Sequence, residues 1–212
     1  MKMLLRLLAL FALSSLAIQK DVLIPHPVRN FNITVVCTGE NPDCDRAMKV
    51  AKQGLSHLSK ELKGLVKFNI VALREDKRKQ LGYEPDLILA NILAGDLTSR
   101  DNSDFLVVIS NPNPVCDSIQ GFLNDECNVL GVSYLGIIGR YKGALLVRDE
   151  LGSVTFEVVA HEMAHALGAG HDGEGLMTPS VTSITHTPKL SNFNLQQITY
   201  YLMNLRFLGF PK

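Results

Sequence analysis

Apolar residues recur along this chain in two rhythms, one of strands and one of helices. Asn32-Ile33-Thr34-Val35-Val36-Cys37 is rich in β-branched residues and predicts a first strand over 32–37. From Asp43 or Asp45 the spacing becomes helical, with Ala47, Val50, Ala51, Leu55, Leu58 and Leu62 on one side, until Gly64 stops the helix after Lys63. Val66 to Leu73 alternates toward a second strand, and Pro85-Asp86 opens another helix through Leu87, Ile88, Ile92 and Leu93. Phe105-Leu106-Val107-Val108-Ile109 is unbroken apolar, the mark of a strand covered on both faces, and Asn111-Pro112-Asn113-Pro114 ends it. Val132 to Gly136 and Ala144 to Val147 predict two more strands. A helix follows, with Ser153 as a candidate cap and Val158, Val159, Met163 and Leu167 turned inward by the helical period. Strands alternating with helices predict an α/β domain with a mostly parallel sheet. No internal repeat, low-complexity tract or linker divides it.

The length of 212 residues suits one domain with a real core. Lysine plus arginine and aspartate plus glutamate both number 21, so no overall field favours nucleic acid or an anionic membrane as a partner. The short basic run Lys77-Arg78-Lys79 lies beside Glu75 and Asp76 and reads as solvated. The N-terminus has a different character. Lys2 and Arg6 precede the apolar run Leu7 to Leu13, and Ser15-Leu16-Ala17 supplies small residues, the pattern of a signal peptide cut after Ala17. A transmembrane anchor is the runner-up, but the run falls short of the roughly 18 apolar residues required. The expected product is a secreted, extracellular monomer with residues 1–17 removed, a short extension over 18–30 and one domain over 31–212. Cys37, Cys44, Cys116 and Cys127 fit export as two disulfides; three pairings are open, and proximity favours Cys37–Cys44 with Cys116–Cys127. Asn32-Ile33-Thr34 is an N-glycosylation sequon lying in the first predicted strand.

The chemistry concentrates in Ala160-His161-Glu162-Met163-Ala164-His165-Ala166-Leu167-Gly168-Ala169-Gly170-His171-Asp172. His161 and His165 are four apart, so on a helix both imidazoles leave one face and reach one ion. Glu162 stands about 100° further round, beside that ion rather than on it. Gly168 can adopt positive φ, end the helix and let the chain swing His171 back as a third nitrogen ligand. Three histidines leave a fourth zinc position open, as catalytic sites require. His26, His57 and His186 have no such spacing. No Ser–His–Asp arrangement or second carboxylate pair competes, and no EF-hand pattern argues for calcium, which stays open.

The run His161 to Asp172 resembles the metzincin zinc endopeptidases, and Asp172 after the third histidine resembles their adamalysin (reprolysin) branch. Leu176-Met177-Thr178-Pro179 resembles the Met-turn of that family, which makes Met177 a support beneath the histidines and not a ligand. Gly131-Val132-Ser133-Tyr134-Leu135-Gly136 is similar to the family's sheet-edge strand, which pairs with extended substrate. Ser191 to Phe207 is similar to its closing helix. The resemblance implies a zincin fold: a twisted, mixed, mostly parallel sheet of about five strands, an active-site helix, and a lower subdomain with the Met-turn and C-terminal helix. It implies a zinc metalloendopeptidase acting on peptide or protein substrates, with Glu162 as base toward a zinc-activated water and Asp172 steadying the ligand loop. Three departures stand out. Five residues separate His171 from Met177, fewer than in adamalysins, the cysteines usual there are missing, and with a signal peptide expected over 1–17 no inhibitory pro-segment is expected before the first strand. Cys44 as a zinc-blocking thiol competes with its place in a disulfide. A secreted binding or toxin-like protein on this scaffold is the alternative, and a three-histidine metal carrier another; the intact Glu162 argues against both.

Overall fold

The computed structural model describes residues 28–39, 42–76, 89–90, 103–110, 130–136, 138, 143–149, 154–173, 175–179 and 189–207. Five strands form one sheet: β1 (Arg29–Thr38), β2 (Val66–Asp76), β3 (Phe105–Ser110), β4 (Gly131–Ser133) and β5 (Gly143–Arg148), in the order β2-β1-β3-β5-β4. All neighbours run parallel except β4, which pairs antiparallel with β5. Parallel strands must be bridged by crossovers that cover the faces, which explains why β3 and β5 read as continuous apolar runs.

Among the described residues, the helices α1 (Cys44–Glu61), α2 (Val154–Ala166) and α3 (Asn192–Phe207) accompany the sheet. Ile33, Val35 and Cys37 of β1, Phe105, Val107 and Ile109 of β3, and Leu145 and Val147 of β5 point to the face these helices cover. The alternate residues Val36, Leu106, Val108, Ala144 and Leu146 form a second apolar layer on the other face with Leu89. Of the helix expected from Pro85, only Leu89 and Ala90 are described; both are helical and Leu89 is fully buried.

The start of α1 is settled in favour of Asp43, whose carboxylate accepts the Arg46 amide at 2.9 Å as the N-cap. Lys63 and Gly64, both at positive φ, release the chain into β2. The disulfide Cys37–Cys44 joins the end of β1 to the first residue of α1, so Cys44 is no free thiol and the zinc-blocking alternative is withdrawn. Cys116, Cys127 and Ser153 lie outside the described residues. Asn32 is half-buried within β1, between β2 and β3, with its amide donating to Asp104. Among the described residues no helix is long and apolar enough to cross a membrane.

Two devices fix α2 against the rest. Gly54 of α1 lies so close that a Cβ there would sit 2.5 Å from the Phe156 carbonyl oxygen and 2.7 Å from Val159 Cβ, so the two helices pack backbone to backbone. Arg46 grips Asp149 through Nε at 2.8 and 3.0 Å, and Thr155 donates to the same carboxylate at 3.1 Å, tying the beginnings of α1 and α2 to the end of β5.

The strand expected over 132–136 is shorter and earlier, Gly131–Ser133. The cause lies in α2, whose last carbonyls need donors. Gly136 donates its amide to His165 and Ile138 to Ala166, which draws the chain off the sheet after Ser133, with Gly136 at φ +60°. β2 runs on past Leu73 to Asp76 because β1 continues beside it to Thr38.

Candidate metal centre

The last turn of α2 closes in a Schellman arrangement. Ala169 donates to the Ala164 carbonyl at 3.0 Å, Gly168 donates to His165 at 2.8 Å, and Gly168 sits at φ +93°. The chain therefore reverses within a few residues, and His171 returns to the face that carries His161 and His165. Nε2 of His171 lies 3.1 Å from that of His165 and 3.2 Å from that of His161. Among the described residues this trio is the one group of three possible ligands close enough to share an ion, so the calcium expectation finds no support there.

Two of the rings are oriented by backbone carbonyls. Nδ1–H of His161 donates to Leu176 at 2.6 Å, and Nδ1–H of His165 donates to Ala169 at 2.7 Å. A carbonyl oxygen only accepts, so the proton sits on Nδ1 and the Nε2 lone pair faces the centre. Burial pushes the His161 pKa down to about 4, with His165 and His171 adding to the effect against the opposing bond to Leu176. His165 is lowered too, first by burial. Both are neutral at physiological pH, the state that binds metal. Tetrahedral zinc with Zn–N bonds of about 2.0–2.1 Å needs nitrogens roughly 3.3 Å apart, so this donor set fits.

Glu162 is not one of the three converging ligands. It is 5% exposed, and burial raises its carboxyl to about 8. A Cβ on Gly131 of β4 would stand 2.8 Å from Glu162 Oε1, 2.8 Å from its Cγ and 2.6 Å from Val158 Cγ1. The carboxyl is thus pressed against the first residue of the edge strand, and no larger side chain fits at 131. Gly131→Ala is expected to displace Glu162 and lower any turnover by about 10- to 100-fold, since misplacement near 1 Å costs about that much; kcat on a peptide substrate, with metal content unchanged, checks it. Val132 and Ser133 complete β4, while Tyr134 follows it, exposed.

Met177 lies fully buried in a 3₁₀ turn, Gly175–Met177, that also presents the Leu176 carbonyl to His161. Gly175 is required there, because it takes φ +54° and a Cβ would fall 2.2 Å from the Lys189 oxygen. Asp172 accepts the hydroxyl of Ser191, which in turn accepts the backbone N–H of Asn194 at 3.1 Å and so caps α3.

The chain is similar to metalloproteinases. It is 28% identical over 105 residues to human "A disintegrin and metalloproteinase with thrombospondin motifs 20", a match spanning 47% of this chain and 5% of that protein. Metalloproteinase-II from Bacteroides fragilis shares the fold at a TM-score of 0.56 and 16% identity, covering 82% of this chain and 53% of that one. A structure described as a chaperone-substrate complex also matches, at a TM-score of 0.56 and 10% identity, over 85% of this chain and 36% of that chain. No protein-family model matches the chain. It spans about a twentieth of the human relative and about half of the Bacteroides protein. The structural likenesses show the α/β fold, and the sequence match to the human protein supports a metalloproteinase-type relationship.

Side chains that the sequence did not single out also build this site. The carbonyls of Leu176 and Ala169, the turn at Gly175, and Asn194, Gln197 and Tyr201 of α3 all bear on it. The Tyr201 ring packs where a Cβ on Gly168 would come within 3.2 Å, and its hydroxyl donates toward Gly136 and Ile138 at 2.8 and 2.7 Å. Ser191-x-x-Asn194 at a helix start was the one legible signal among them.

Proposed function

We propose that this chain is a secreted zinc-dependent endopeptidase of the adamalysin branch, with residues 1–17 removed and the catalytic domain over 31–212. The observation that carries the reading is the convergence of three imidazoles, with Nε2 of His171 3.1 Å from that of His165 and 3.2 Å from that of His161, on the helix that also carries the buried Glu162. Asp172 directly after His171 supports the branch. Zinc held by His161, His165 and His171 would supply Lewis acidity, polarising a peptide carbonyl and lowering the pKa of water toward 7.

The chain's own groups supply the rest. β4 is the last strand of the sheet and pairs only with β5 among the described residues, so its outer backbone edge suits an extended peptide. Glu162, beside Gly131 of that strand, takes the proton from the attacking water as the C–O bond forms. It returns the proton to the amide nitrogen as the C–N bond breaks. Its raised pKa in the metal-free protein gives way to the carboxylate when a cation is near. Met177 supports the turn behind His161.

Purified protein should cleave gelatin or casein, phenanthroline should stop the cleavage, and added zinc should restore it. Protein that holds zinc yet cleaves neither would overturn the enzyme reading in favour of a binding protein on the same scaffold.

A further inference from the structure

The three candidate ligands are not held alike. His161 and His165 sit in the hydrogen-bonded body of α2, and each ring is fixed by a second bond from Nδ1. His171 lies beyond the helix, exposed, and its ring has polar contacts with the other two imidazoles but no bond to a backbone carbonyl like those of His161 and His165. Its position must therefore come from the backbone on either side.

That backbone is held from α3. Gln197 Oε1 accepts the Gly170 amide at 3.0 Å, and Asn194 Nδ2 donates to the Gly170 carbonyl at 2.9 Å. The two side chains also bond each other, Asn194 Nδ2 to Gln197 Oε1 at 3.2 Å. Both polar groups of the residue before His171 are thus satisfied by one pair of amides a turn apart on α3. Asn194 is fully buried, where an unpaired amide would be costly, so the pair is locked in this arrangement. On the far side Asp172 is bound to Ser191, the cap of the same helix.

We infer that Asn194 and Gln197 are positioning residues that set the third metal ligand, so that α3 governs metal affinity without touching the metal. This rests on the metal-centre reading above. Outer partners of this kind change metal affinity by about 10- to 100-fold when removed. Zinc affinity is to be measured by competition with a chromophoric chelator, alongside the visible spectrum of the cobalt(II) form and urea unfolding of each metal-free protein.

Gln197→Met, which loses the acceptor, is expected to bind zinc about 10-fold more weakly, and Asn194→Leu up to about 100-fold. Both should shift the cobalt spectrum toward a site with fewer nitrogen donors. Gln197→Glu keeps an acceptor for Gly170 and should bind within a few-fold of wild type. A merely structural role would lower the unfolding midpoint and leave the zinc affinity of the folded protein unchanged. Should Asn194→Leu fail to fold, Gln197→Met decides alone, because Gln197 is only half-buried. Equal zinc affinity in Gln197→Met, Gln197→Glu and wild type overturns the inference while leaving the metal centre intact. Wild-type protein that takes up no zinc overturns the metal-centre reading and this inference with it.

Discussion

Glu162→Gln should reduce peptide hydrolysis by about 10³-fold or more and leave zinc content at one ion per chain. General acid–base catalysis contributes about 10²–10⁴-fold, and here a single carboxyl would both take the proton and return it. Glutamine keeps the shape that packs against Gly131 and Val158, so the variant separates proton transfer from packing. The three imidazoles keep their Nε2 lone pairs, because their orientation comes from Leu176, Ala169 and the α3 contacts and owes nothing to Glu162. Zinc content by elemental analysis, with kcat and KM measured on one peptide, checks both halves. Near-wild-type kcat in a zinc-loaded variant would remove Glu162 from the reaction.

Much of this site was legible because its central geometry is local. Two histidines four apart on a helix, a neighbouring glutamate and a glycine able to end the helix are all consequences of one helical repeat, and the structure brings His161, His165 and His171 together accordingly. The sheet was legible for a similar reason. Strands covered on both faces leave continuous apolar runs, as β3 and β5 do, while β1 was legible from its β-branched residues.

The remainder depends on contacts that sequence distance hides. Asn194 and Gln197 meet Gly170 from 24 and 27 residues away, a separation that no local pattern in the sequence reports. The orienting partners of His161 and His165 are backbone carbonyls, which carry no residue signature at all. β4 ends at Ser133 because Gly136 and Ile138 serve the open end of α2, a demand of tertiary structure that overrides the apolar pattern over 132–136. Gly131 was assigned to the substrate strand; its contact with Glu162 emerged only in three dimensions.

The second large effect is on stability without metal, and its sign follows from the same burial. Glu162 titrates near 4.5 in an unfolded chain and at about 8 when folded, so between those values the native state keeps a proton that the unfolded state has lost. Stability must then fall as pH rises through that window, by on the order of 5 kcal/mol in all. Glu157, also raised chiefly by burial, pulls the same way.

His161 acts in the opposite sense. Its pKa drops from 6.5 to about 4 on folding, so the unfolded state holds the extra proton between those values and stability rises with pH there. His165, lowered as well, adds to this. Between about 4.5 and 6.5 the two opposed contributions nearly cancel, and above 6.5 Glu162 acts almost alone. Metal-free wild type is therefore expected to lose about 1 kcal/mol between pH 6.5 and 8 in urea unfolding. Metal-free Glu162→Gln should show no such fall, and its advantage over wild type should grow from pH 4.5 to 8. Saturating zinc should abolish the alkaline loss in wild type, since the ion binds only the native state and favours the carboxylate beside it. Parallel unfolding curves for the two metal-free proteins at pH 6.5 and 8 would show that Glu162 is not the buried neutral acid described above.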